Sequence, residues 1–193
     1  TRSYSVTGVQ TCALRSGLLH DIGKASAAFQ RRVRGENVRT DHSTAGARYA
    51  AVNWGGAGVL LAYCVAGHHS GLPDGRSNED GCLKRRLDPA RRQIEDCSGW
   101  RECLGPENLP QAPGFDCLPF NTGQDKLGFR FAFFLRMIFS CLVDADRLDA
   151  EAAGDAHSLE RAASRTGYPA IADLRARLRS EEHTSELQSP NTI

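Results

Sequence analysis

Residues 17–34 read GLLHDIGKASAAFQRRVR. Leu18, Leu19, Ile22, Phe29 and Val33 recur at helical spacing, and Gly23 marks a point where the helix is expected to break. Inside this apolar frame a histidine stands directly before an aspartate, His20–Asp21, with Lys24 three residues further on. Neighbouring residues of a helix differ by about 100° around its axis. His20 and Asp21 therefore meet at one point only if that point lies between their directions, or if they serve adjacent cations. A carboxylate has two oxygens, so Asp21 can bridge two ions while His20 fills a place beside one of them. Lys24 shares their helical face and brings an ammonium suited to a phosphate or to the charge of its transition state.

The remaining chain repeats the helical theme. HSTAGARYAAVNW, residues 42–54, is an alanine-rich helix with Asp41 as its N-cap. A third apolar helix covers Ala57–Ala66 and stops at Gly67, and SGLPDGRSNEDG is turn chemistry throughout. LKRRLDPARRQIED, residues 83–96, reads as helical, with Pro89 in its first turn or at a break. Residues 98–124 form a long Pro- and Gly-rich loop. A long helix follows from about Asp125 to Ala153, and a last one contains YPAIADLRARLRS. No useful run alternates like a strand, so the fold class is all-α.

Bulk composition sets limits. A chain of 193 residues, 40% hydrophobic and 24% charged, fits one globular domain with a sizeable core. A net charge of +1 leaves any basic surface to be local. The apolar runs are too short or too interrupted, by Arg136 in one case, to span a bilayer, and no secretory signal opens the chain. The seven cysteines include no C-x-x-C pair. Cys82, Cys97, Cys103 and Cys117 lack usual zinc spacings, so reduced thiols and a cytoplasmic location are expected.

Further histidines and acids fall at helix ends: His42, the tandem His68–His69, and Asp144, Asp146 and Asp149. Singly, each reads as an ordinary surface group. Together, each beside an apolar helix able to bury it, they suit manganese, iron, nickel, cobalt or zinc. Two such ions about 3.5–4 Å apart grip a phosphodiester and activate a water for in-line attack. Arg31, Arg32 and Arg34, and then Lys84, Arg85, Arg86, Arg91 and Arg92, could track a nucleic-acid backbone. Interspersed acids make a solvated face an equal alternative. Trp54, Trp100 and Tyr63 read as core or loop anchors rather than base-stacking groups.

In order, GLLHDIGKASAAFQ, DHSTAGARYA, AGHHSGL and FLRMIFSCLVDADRLDAE resemble the HD nuclease domain of CRISPR-associated type I interference proteins, over about residues 17–152. That resemblance implies an HD-domain helical bundle, truncated at both ends, that cuts single-stranded DNA with two divalent transition-metal ions: manganese, nickel, cobalt or iron, with magnesium possible. His20 and Asp21 would be paired ligands with Asp21 bridging; His42, His68 and His69 would complete the second shell. Asp146 would close the first, because Ala145-Asp146-Arg147-Leu148 aligns with the family pattern. Asp144 is the rival, on a stripe with Met137, Cys141 and Leu148. Asp21 and Lys24 would be catalytic, and Lys24, Arg31 and Arg32 substrate-binding. The implied partners are an RNA-guided surveillance complex and a superfamily-two helicase, fused or separate. An HD-family nucleotide or cyclic-nucleotide phosphohydrolase would use the same residues, and a non-catalytic binding module is a third reading.

Both ends, TRSYSVTGVQTCALRS and RSEEHTSELQSPNTI, resemble translated sequencing adapter. Residues 1–16 and 181–193 are therefore expected to be non-native or disordered, and 17–180 to be the HD domain. The family has a further metal-binding histidine well upstream of the HD pair, whereas no histidine precedes His20 here. An incomplete first shell and weakened activity are expected.

Overall fold

A computed structural model describes residues 6–104, 111–113, 118, 120, 123, 125–154, 160–161 and 169–188. Among them there is no strand. The chain divides into two units, Thr1–Arg147 and Leu148–Ile193. The first contains helices α1 (Val6–Leu19), α2 (Ala27–Val33), α3 (Ser43–Gly67), α4 (Leu83–Leu87) and α5 (Trp100–Leu104), with a 3₁₀ turn at Ile22–Ala25 between α1 and α2. Most of α6 (Leu127–Ala152) belongs to it as well. The second unit holds the last turn of α6 and α7 (Ile171–Gln188), with Glu151 and Arg161 paired at 3.4 Å.

The opening stretch, expected to lie outside the fold, is helical from Val6, and Cys12 and Ser16 are buried. The break foreseen near Gly23 is the 3₁₀ turn, which separates α1 from α2. Ser26 then caps α2 by accepting from the Phe29 amide.

Central to the unit is α3, which folds back on itself at Gly55 (φ 57°, ψ −138°), a backbone conformation nearly confined to glycine. The two helices foreseen at 42–54 and 57–66 are thus the two arms of a hairpin. A Cβ on Gly58 would fall on the Ala50 carbonyl, and one on Gly46 would meet the Leu19 carbonyl and lie 3.0 Å from the Val65 side chain. Small residues let the arms, and α1, approach to backbone contact. Among the described residues only α3 is long and apolar enough to cross a membrane, but the turn at Gly55 halves its straight run.

Leu61, Ala62, Cys64 and Val65 of the second arm form the core with Leu19, Ala47 and Ala50. Phe134, Ile138 and Leu142 of α6 add to it at four-residue spacing, and the Cys64 thiol donates to the Leu135 carbonyl at 3.7 Å. Trp54 and Trp100 are buried, and Tyr49 meets both edge-on.

One helix is shorter than expected. The pattern over 83–96 gives only α4, because Pro89 holds Asp88 in an extended conformation (φ −74°, ψ 114°). Cys12, Cys64 and Cys82 are buried and form no disulfide among the described residues; Cys117 lies outside them, as does much of the 98–124 loop.

Candidate metal centre

His20 follows the last residue of α1, Asp21 opens the 3₁₀ turn, and His42 and His68 cap the two ends of the α3 hairpin. The fold-back at Gly55 carries those two ends, 26 positions apart in sequence, to one place. His69 comes with His68. Asp146 lies one helical step of four beyond Leu142, so it continues the buried stripe of α6 to the same point.

Two groups result. Asp21, His42, His68 and His69 offer ligand atoms within 4.8 Å of one another, and so do His20, His68 and Asp146. Asp21 stands between them: its Oδ2 is 3.1 Å from His20 Nε2, and its Oδ1 is 3.6 Å from His42 Nε2 and 3.8 Å from His68 Nε2. Asp146 Oδ1 is 3.3 Å from His20 Nε2. Asp144 is exposed and lines a separate surface hollow with Phe139, Cys141 and Arg147. The stripe that made Asp144 a rival faces outward, for Met137 and Cys141 are exposed and Leu142 is buried.

Backbone carbonyls aim the rings. Nδ1 of His20 lies 2.6 Å from the Gly17 carbonyl, and Nδ1 of His68 lies 2.7 Å from that of Val65. Each Nδ1–H therefore donates to a carbonyl one turn back, which turns Nε2 toward the cluster. Phe29 packs edge-on against His42 at 5.3 Å between ring centroids.

Burial is the largest influence on all four shifted groups. It lowers His68, helped by His69 and His20, to about 4, and it lowers His42 as well. Both rings are thus neutral at pH 7 and able to act as ligands. Burial opposes the shifts of the other two. The His20–Asp21 hydrogen bond and the Gly17 carbonyl outweigh it to raise His20, and His20 with Lys24 outweighs it to hold the Asp21 carboxyl well below its usual range. Lys24 Nζ lies 2.5 Å from Asp21 Oδ2.

The donor set fits a divalent cation. Asp21 Oδ1, His42 Nε2 and His68 Nε2 are all buried without a hydrogen-bond partner among the described residues. One such atom costs about 1–3 kcal/mol, and three pointing together would be a large unexplained loss. Asp21 Oδ1 is an anionic acceptor, and His68 Nε2 carries a lone pair because Nδ1 holds the proton, so a cation relieves both; His42 Nε2 joins them in the tautomer that carries its proton on Nδ1. No cysteine joins either group among the described residues.

Sequence reasoning missed the frame around the ligands. Arg86, read as a possible phosphate contact, is buried: it donates to Thr44 Oγ1 (2.9 Å), Ser43 Oγ (2.7 Å) and the Ala66 carbonyl (2.7 Å). It thereby ties the two ends of the hairpin that bear His42 and His68. Asp41 accepts from the Thr44 amide at 3.1 Å and hydroxyl at 2.6 Å and pairs with Arg86 and Arg92. The sequence signal for the Asp41 part was its capping position; nothing in the spacing marked Arg86 as internal. Gly23 was read as a helix breaker, yet a Cβ there would fall on the His42 carbonyl. Arg31 is exposed near Glu36 at 3.8 Å, and Arg32 lines a cavity beside the centre.

Residues 5–114 match the family model described as Cas3, HD domain. No curated protein matches the chain.

Proposed function

This chain belongs to the Cas3 HD-domain family, and on that footing we propose that it cleaves phosphodiester bonds of single-stranded DNA in CRISPR type I interference. Its chemistry is that of a metal-dependent HD phosphohydrolase. The observation that carries the reading is the convergence of three buried, unpartnered ligand atoms on Asp21, His42 and His68.

Asp21 would be the bridge, because its two oxygens face different sets of donors. His20 and Asp146 would complete the Oδ2 side, and His42, His68 and His69 the Oδ1 side. A neutral imidazole nitrogen has one lone pair, so His68 serves one ion at a time although it borders both groups. Two bound divalent ions, with manganese, nickel, cobalt or iron suiting the mixed nitrogen and oxygen donors, supply Lewis-acid polarisation of the phosphate and a water of lowered pKa.

The chain's own residues do the rest. His20 and His68 are held in one tautomer by the carbonyls of Gly17 and Val65, so no reorientation precedes binding. Lys24, at the half-exposed rim, can pass from Asp21 to a phosphate oxygen of an entering strand. Its ammonium then balances the charge that grows on phosphorus oxygens in the transition state. The surveillance complex and helicase of type I systems are the partners this reading brings with it.

Circular single-stranded DNA incubated with manganese or nickel tests the proposal. Linearisation by the wild-type chain and none by Asp21→Ala is the expected result. Hydrolysis of nucleoside phosphates or cyclic nucleotides with the circle intact would make the chain a small-molecule phosphohydrolase. Neither activity would leave a binding module.

A further inference from the structure

Beside the metal centre lies a cavity of about 440 Å³ formed by the 3₁₀ turn and α2, by residues 39–41, and by residues 92–95. Arg32, Arg39 and Arg92 line it with Thr40, Asp41 and Glu95. Each acid already has a partner. Asp41 holds Arg92 at 2.6 Å as well as Thr44, and Glu95 Oε2 accepts from the Ala28 amide at 3.0 Å. Arg32 and Arg39, in contrast, have no carboxylate partner among the described residues. Thr40 Oγ1 is buried and has no hydrogen-bond partner among the described residues. Two guanidinium groups without a carboxylate partner and an unsatisfied hydroxyl thus line one hollow, where three arginines outnumber two acids. A phosphate, an anion that accepts in every direction, matches them.

The cavity adjoins the metal centre through the chain itself. Thr40 and Asp41 directly precede His42, so Thr40 lies within about 7 Å of it along the backbone. Gly23 lines the cavity two residues after Asp21. We propose that this cavity is a second phosphate subsite, holding the backbone phosphate next to the one cut at the metals. The subsite rests on the nuclease reading, and it would set the register of the strand as Lys24 alone could not.

Binding of fluorescein-labelled hexathymidylate, measured in chelator over a range of salt, tests it without turnover. The double variant Arg39→Gln/Thr40→Val should bind roughly tenfold more weakly, as loss of a charge-assisted hydrogen bond does. Its slope of log affinity against log salt should flatten by roughly 0.7, the value for one phosphate contact on a single strand. Arg101→Gln, an exposed arginine over Tyr49 and Trp100, should change neither. Should the double variant melt early, Arg39→Gln alone serves, since that side chain is exposed. Unchanged affinity and slope overturn the subsite. So does calorimetric binding of inorganic phosphate that the variant loses while oligonucleotide affinity stays put, which would mark a free-anion site. Failure of the wild-type chain to cut DNA with manganese would instead sink the nuclease reading, and the chelated binding measurement would still stand.

Discussion

Asp21 shows how far single residues could be read. Its place after His20 predicts a ligand pair, and its two oxygens do face different donors. The choice between Asp144 and Asp146 was harder, because helical phase offers two stripes on α6 and sequence does not say which one is inward. Leu142 is buried, and Asp146, four residues on, reaches His20, while Asp144 is exposed. Asp146→Asn is therefore expected to remove one of two manganese-binding events in a calorimetric titration, or weaken it by about a hundredfold, whereas Asp144→Asn leaves both. Even unmutated, the His20 side should be the weaker one, since it offers His20, Asp146 and a shared Asp21 oxygen against three histidines opposite. Two equally tight sites would refute that asymmetry. Gly23→Ala carries a separate expectation. Its methyl must displace the His42 backbone, so manganese affinity should fall at least about tenfold although no ligand has been altered.

At the scale of elements, the sequence announced helices on both sides of Gly55 but not their return. Glycines 55 and 58 were visible; the contact of Gly46 with Leu19 and Val65 is long-range and leaves no periodic trace. Likewise the basic run at 84–86 reads equally as a phosphate track or a solvated face, and burial of Arg86 depends on where α4 lands. Gly55→Ala should cost about 2 kcal/mol in urea unfolding, purely from backbone conformation, because a Cβ there meets nothing within 4 Å. Arg86→Met should cost more, about 3 kcal/mol, since it leaves the Ala66 carbonyl without that donor and removes half of the positive charge around half-buried Asp41. Its diagnostic is metal affinity measured well below the melting temperature. A clamp that holds His42 and His68 in register predicts weaker manganese binding by the folded variant, not rescued by Arg86→Lys, whose single ammonium cannot reach four acceptors. A variant that melts early yet binds manganese normally would reduce Arg86 to a stability residue.

For the whole molecule, the all-α class and the order of ligand-bearing segments were legible because each is a local pattern. The participation of α1 was not: VTGVQTCALRS has little amphipathic period, yet Cys12 is buried in the same cluster as Leu61 and Ile138. Such burial is a property of neighbours, which a single stretch does not reveal. The candidate metal centre joins those neighbours, since its His and Asp residues stand after α1, at both ends of the α3 hairpin and on α6. An ion there ties residue 20 to residue 146 and satisfies three buried atoms at once. The unfolded chain has no preformed counterpart, so binding free energy becomes folding free energy. At a free manganese concentration a hundred times the dissociation constant, the gain is about 2.7 kcal/mol. For a chain of this size that raises the melting temperature by roughly 5–10 °C over the chelated protein. Differential scanning calorimetry with manganese and with chelator measures it directly. Asp21→Asn, which removes the shared carboxylate charge, should show almost none of the increment. An equal rise in wild type and variant would mean that manganese acts elsewhere on the surface, and the ligand set assigned to this centre would be wrong.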